Sequence, residues 1–258
     1  MKTLEFKIVD RVALISLNRP EAANGINKLL ASELTYVAKK CDNDRSVKAV
    51  VLTGKGRFFS AGGDIKEMAS YGANVGPKIK ELADDVHTAV STFSRMKAPL
   101  VVAVNGMAAG AGFSLSISGD IVLASDKASF MMAYTKAGLS PDGSASYFLP
   151  RLIGLRRAQD LMLTNKMLSA EQALEWGLIT EVVEDDKLTE RAMEIAKTLA
   201  EGSVNANYAV KKLLLQSFSN SLETQMEIEG REISKCASSN DGREGIAAFI
   251  AKRKPIFE

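Results

Sequence analysis

The sequence predicts an α/β fold in which an alternating strand–helix part is followed by an all-helical C-terminal part. Three observations predict it. Residues 47–52, interrupted only by Lys48, and 100–104 are short apolar runs without regular polar alternation, the pattern of strands covered on both faces as in parallel sheets. Helical stripes separate such runs; Leu29, Leu30, Leu34, Val37 and Ala38 form the first. Beyond about Val183 the strand pattern stops and only helical stripes remain. At 258 residues, the chain suits one large domain or one domain with an appendage. The expected division is a core over residues 1–186 and a helical region over 187–258 that serves assembly.

The elements follow in order. Leu4–Val9 and Val12–Leu17 read as a hairpin around Asp10-Arg11. Residues 56–68 form a loop in which Gly62 and Gly63 run into a short helix. Pro77 suits the first position of a helix. Its apolar stripe is Ile79, Leu82, Val86, Val90, Phe93 and Met96, with His87 at the edge. The run 100–104 stops at Asn105-Gly106, a turn signal. A row of small residues, 107–112, then leads into a helical stretch reaching Gly119. Residues 130–139 lead to Pro141-Asp142-Gly143-Ser144, a turn at the start of another helix. Residues 155–163 read as a helix, Ser169-Ala170-Glu171-Gln172 as a capping box and Gly177 as a helix stop. Residues 179–183 read as a strand, and 187–200, 204–218, 222–238 and 243–252 as helices. No residue-level internal repeat is visible.

Composition excludes several classes of function. The net charge of +2 gives no electrostatic reason to expect nucleic acid or a membrane surface as partner. The start, Met1-Lys2-Thr3-Leu4-Glu5-Phe6-Lys7, carries charges where a signal peptide needs an apolar core, so a cytoplasmic location is expected. No apolar run is long enough to span a membrane. One histidine and two scattered cysteines, Cys41 and Cys236, leave no imidazole or thiolate cluster for a metal.

The candidate chemistry lies in the two small-residue loops around Gly63 and Ala111. Each follows an apolar run and precedes a helix. They read either as ordinary strand-to-helix turns or as two backbone N–H donors that converge on a developing oxyanion. A dinucleotide fingerprint fails because Leu115 stands where glycine or alanine is required, and a serine nucleophile elbow fails because Ser116 replaces the glycine after Ser114. Asp142 reads as an N-cap of the helix beside it or as a carboxylate poised to move a proton.

Several stretches resemble the crotonase (enoyl-CoA hydratase/isomerase) superfamily. They are Ser60 to Met68, Ala103-Val104-Asn105-Gly106 with Gly110-Ala111-Gly112, Gly119-Asp120-Ile121, Ser169 to Leu178, and Arg243-Glu244-Gly245 through Lys254. They coincide in order over nearly the whole chain. The resemblance implies a crotonase-like spiral of ββα units with a C-terminal helical trimerisation region, so a homotrimer or homohexamer. It also implies an acyl-CoA substrate and no separate cofactor, since CoA is part of the substrate. The N–H groups of Gly63 and Ala111 would hold the thioester oxygen. Gly63, Asp64, Ile65, Lys66, Ala111 and Tyr134 would line the substrate and CoA site.

Two departures from the family pattern matter. Hydratases of this family place glutamates where Ser114 and Tyr134 stand, which argues against a standard hydratase. A carboxylate at the position of Asp142 is the acid/base of some family isomerases. Residues 130–139 with Pro141-Asp142 look most like the 1,2-epoxyphenylacetyl-CoA isomerase branch. His87 reads as a polar residue at a helix edge or as the base that the 4-chlorobenzoyl-CoA dehalogenase branch pairs with an aspartate at the position of Asp142. The favoured expectation is an acyl-CoA isomerase that stabilises a thioester enolate and shuttles a proton through Asp142. The alternatives are a dehalogenase or hydrolase using Asp142 as nucleophile and His87 as base, and a non-catalytic CoA-binding or RNA-binding family member.

Overall fold

A computed structural model describes residues 1–257. It begins with the predicted hairpin of β1 (Leu4–Val9) and β2 (Val12–Leu17), whose two-residue turn holds Asp10 and Arg11 at positive φ. Helix α1 (Lys28–Asn43) starts at Asn27, whose side chain accepts the Leu30 N–H.

A repeat that the residues do not announce then builds the core. Strands β3 (Ala49–Gly54), β5 (Leu100–Val104) and β7 (Ile121–Ser125) are each followed directly by a three-residue strand. These are β4 (Phe58–Ser60), β6 (Met107–Ala109) and β8 (Ser129–Met131). The long strands join a six-stranded sheet in the order β1-β2-β3-β5-β7-β10, where β10 is Glu181–Val183. The short ones join a second sheet, β4-β6-β8-β9, where β9 is Leu168–Ser169. Every pairing is parallel except β1 with β2 and β8 with β9.

Helices follow each strand pair: α2 (Ile65–Ser70) and α3 (Val75–Arg95) after β4, α4 (Ala111–Ser116) after β6, and α5 (Ala145–Ile153) and α6 (Leu155–Thr164) after β8. The result is a spiral of ββα turns. The short strands place the two small-residue loops side by side, because β4 pairs with β6.

The apolar β-branched runs are buried on both faces, as their sequence requires. One face, with Val50, Leu52, Leu100 and Val102, packs into the main core with Phe59, Phe93, Phe113 and Phe130. On the other face, Val51, Val101, Ala103 and Leu123 meet Leu188, Ala192, Ala196 and Ala200 of α8 (Leu188–Glu201). The small alanines let α8 lie close to the sheet. Before α8, the short helix α7 (Ala170–Glu175) opens with both hydrogen bonds of the Ser169–Gln172 capping box. Helices α9 (Val204–Ser217), α10 (Leu222–Ser238) and α11 (Asn240–Ile250) complete the chain.

The differences from expectation are local. Pro77 is the third residue of α3 rather than its first, and its missing N–H still falls in the first turn, where no intrahelical acceptor exists. Helix α4 ends at Ser116 instead of reaching Gly119, and α11 starts three residues early, capped by the Ser239 hydroxyl on the Gly242 N–H. Among the described residues, no helix is long and apolar enough to cross a membrane.

Candidate active site

The first small-residue loop leaves β4 through Ala61-Gly62-Gly63. The Ile26 N–H donates to Gly62 O at 2.7 Å and the Asp64 N–H donates to Ile26 O at 3.0 Å. Backbone N–H groups point alternately to either side of such an extended stretch, so that of Gly63 is turned away from Ile26. Gly62 has φ +95°, and a Cβ there would lie 2.8 Å from Ala109 O and 3.2 Å from Ala111 N. The two loops therefore touch, and only glycine fits this position.

The second loop turns at Gly110, with φ +51°, and enters α4 at Ala111. As the first helical residue, Ala111 has no intrahelical acceptor for its N–H. Among the described residues, neither the Gly63 nor the Ala111 N–H meets a protein acceptor. Both residues line a cavity of 570 Å³.

Ile26, Ile65, Met68, Leu82 and Val86 give that cavity apolar walls. His87, Tyr134 and Asp142 bring polar groups into it, and Asp142 is the one acidic residue among its lining. Tyr134 opens a 3-10 turn, Tyr134–Ala137, directly after Ala133 in left-handed geometry. Its hydroxyl lies 2.6 Å from Asp142 Oδ1 and 2.8 Å from Ser114 Oγ. Burial, then the Asp142 charge and hydrogen bond, push the Tyr134 phenol well above the ordinary tyrosine range, so it stays protonated.

The capping alternative for Asp142 is not what α5 uses. The residue flanking that helix is Ser144, at φ +74° and without a side-chain cap. His87, on α3, accepts the Gly143 N–H on Nε2 at 3.1 Å and lies 3.7 Å from Asp142 Oδ2.

The structure thus gathers Gly63, Ile65, Ala111, His87, Tyr134 and Asp142 around one cavity. Asp64 and Lys66 are not among the lining residues. Asp64 instead caps α2, accepting the Glu67 N–H at 3.2 Å, and pairs with Arg19 Nη2 at 3.0 Å. Burial alone would raise its carboxyl pKa. The Arg19 hydrogen bond and charge, with the N–H groups of Glu67 and Lys66, outweigh burial and hold it below the ordinary range. Arg19 also donates to Gly25 O, so it ties the stretch before α1 to the first loop.

Sequence reasoning placed Tyr134 in the substrate site and marked both Ser114 and Tyr134 as departures from the hydratase pattern. It missed that they bond to each other, and it missed Arg19. Hydroxyls twenty residues apart carry no periodic signal. Among the described residues, no group of three or more His, Cys, Asp or Glu side chains is placed to hold a metal.

Similarity to known proteins extends over nearly the whole chain. A model of the enoyl-CoA hydratase/isomerase family matches residues 7–258. The chain belongs to the enoyl-CoA hydratase/isomerase family. It is 38% identical over 248 residues to the 1,2-epoxyphenylacetyl-CoA isomerase of Escherichia coli K12, covering 95% of this chain and 94% of that one. It is 32% identical over 257 residues to the trans-2-decenoyl-[acyl-carrier-protein] isomerase of Streptococcus mutans, covering 99% and 98%. It is also 32% identical over 244 residues to a 4-chlorobenzoyl coenzyme A dehalogenase of an Arthrobacter species, covering 94% and 88%. The crystal structure of an enoyl-CoA hydratase from Polaromonas sp. JS666 superimposes with a TM-score of 0.95 at 28% identity, covering 99% of both chains. Members of this enoyl-CoA hydratase/isomerase family thus carry isomerase, hydratase and dehalogenase names on one fold, and the side chains of the site have to separate these chemistries.

Proposed function

We propose that the protein is an acyl-CoA isomerase that shifts a double bond, or rearranges a ring, in an unsaturated acyl-CoA. The observation that carries this reading is that one carboxylate, Asp142, shares the cavity with the two unpaired N–H groups of Gly63 and Ala111. A thioester makes its neighbouring carbon acidic. The two N–H donors stabilise the enolate oxygen as charge develops on it, and Asp142 removes and returns the proton. Ser114 and Tyr134 are neutral hydroxyls and supply no second carboxylate to handle water, which disfavours hydration.

The experiment is an acyl-CoA panel read by mass spectrometry. Isomerisation leaves mass unchanged, hydration adds one water and hydrolysis frees CoA. Weak hydration of crotonyl-CoA is expected, and Asp142→Asn should slow isomerisation by roughly 10²- to 10⁴-fold. Fast hydration by the wild type, unaffected by Asp142→Asn, would overturn the proposal.

A second reading, dehalogenation or hydrolysis with Asp142 as nucleophile and His87 as base, draws support from the 3.7 Å separation of His87 Nε2 and Asp142 Oδ2. Against it, the Nε2 lone pair already accepts the Gly143 N–H. We also infer a cytoplasmic enzyme that assembles as a homotrimer or homohexamer through its C-terminal helices.

A further inference from the structure

We propose that Tyr134, locked in place by Ser114, is a positioning residue that holds Oδ1 of Asp142 and leaves Oδ2 to take and return the proton. This inference rests on the isomerase reading above and deepens it.

The direction of the hydrogen bonds follows from the chemistry of the groups. An ionised carboxylate only accepts, so at 2.6 Å the Tyr134 hydroxyl donates to Oδ1. The phenol oxygen is then free to accept, and the Ser114 hydroxyl, 2.8 Å away, donates to it. Ser114 is fully buried. Its place on α4, three residues beyond Ala111, couples this relay to the helix that presents one of the two N–H donors. Among the described residues, Oδ2 has no hydrogen-bond donor; the His87 ring nitrogen lies 3.7 Å from it and is committed to Gly143. The two carboxylate oxygens are therefore unequal.

The step balances without any co-reactant. A C–H bond of the substrate breaks, its electron pair enters the enolate, and the proton goes to Oδ2. The new O–H bond then breaks as a C–H bond forms at another carbon of the conjugated system. Nothing is oxidised or reduced. Tyr134 keeps its bond to Oδ1 through both halves, so the carboxyl group does not rotate away from the carbon it must reprotonate. Positional control of this kind is where small displacements cost rate.

The test is a double-mutant cycle in the full-length protein. Tyr134→Phe and Ser114→Ala are made in the wild type and in Asp142→Asn. They are assayed with the member of an unsaturated acyl-CoA panel that the wild type isomerises, and with exchange of its acidic protons in D₂O followed by NMR. Tyr134→Phe should lower kcat and proton exchange by roughly 10- to 100-fold, the worth of a hydrogen bond to a charged group, with KM changed by less than about threefold. Ser114→Ala should lower both by a smaller factor. Neither substitution should add a loss in Asp142→Asn, because the group they position is gone.

Losses that multiply in the Asp142→Asn background, or that fall on KM, would overturn the positioning role while leaving the isomerase reading in place. Full activity of Asp142→Asn, or no turnover of any panel member by the wild type, would overturn the isomerase reading and the relay with it. Ser114→Ala keeps the Tyr134 ring in place, so the cycle remains readable if Tyr134→Phe does not fold.

Discussion

His87 Nε2 accepts the backbone N–H of Gly143 at 3.1 Å, one residue along from Asp142. The histidine therefore holds the loop that carries the carboxylate, and a ring nitrogen that accepts a hydrogen bond is not free to draw a proton from water. Glutamine also offers an acceptor oxygen of similar reach. His87→Gln should therefore change isomerisation by less than about tenfold, or about 1.4 kcal/mol of barrier. The wild type should release no chloride from 4-chlorobenzoyl-CoA. Chloride release at catalytic rates, with an Asp142-linked ester accumulating in His87→Gln, would establish the hydrolytic chemistry instead.

Ala111 begins α4, so proline there deletes one N–H at the helical position that tolerates proline best. Loss of one oxyanion donor should lower kcat by roughly 10²- to 10³-fold. The check is steady-state kinetics beside a thermal melt. A variant that melts like the wild type and keeps full activity would remove Ala111 from the oxyanion hole.

The elements legible in the sequence were those with a pattern long enough to read. The both-sides-buried runs of β3 and β5, the helical stripes of α1 and α3, and the capping box at Ser169 all announce themselves. The strands β4, β6 and β8 do not, because three residues hold less than two periods of alternation. The second sheet was therefore invisible, although it is what sets the Gly63 and Ala111 loops side by side. Asp142 was legible as an acid in a turn, but whether it caps a helix or faces a cavity depends on Tyr134 and His87. Those contacts are made across the fold. The 2.7 Å ion pair of Lys211 Nζ with Asp120 Oδ2 joins residues too distant in the chain for any spacing rule to connect.

The C-terminal helices present apolar side chains that a solvent-facing surface does not need. Phe249 and Ile250 are 86% and 77% exposed, and Leu214, Phe218, Leu222 and Ile233 are also exposed. Light scattering at micromolar concentration should give the mass of three or six chains, and Phe249→Asp should shift it toward one. A single-chain mass for the wild type would remove the inferred assembly.

Lys211 of α9 is buried, with a side chain 6% exposed, and its ammonium group donates to Phe93 O at 3.0 Å and Ala98 O at 3.1 Å while pairing with Asp120 at 2.7 Å. Burial lowers the lysine pKa, and the Asp120 charge and hydrogen bond only partly oppose this. Asp120→Asn leaves a buried cation without its counter-charge and should cost about 3 kcal/mol at neutral pH. The pH dependence has a definite sign. A lysine whose folded pKa lies below its unfolded value of about 10.4 binds its proton more weakly in the native state. Between the two values the unfolded chain holds more protons, so stability rises with pH. Without Asp120 the folded value falls further and the window reaches to lower pH. Urea midpoints from pH 7 toward 10 should therefore recover more steeply in Asp120→Asn than in the wild type. A variant equally destabilised at every pH would mean that Lys211 does not lose its proton on burial, and that the cost lies instead in the lost contact between Asp120 and the Leu100 N–H, 2.7 Å apart in the wild type.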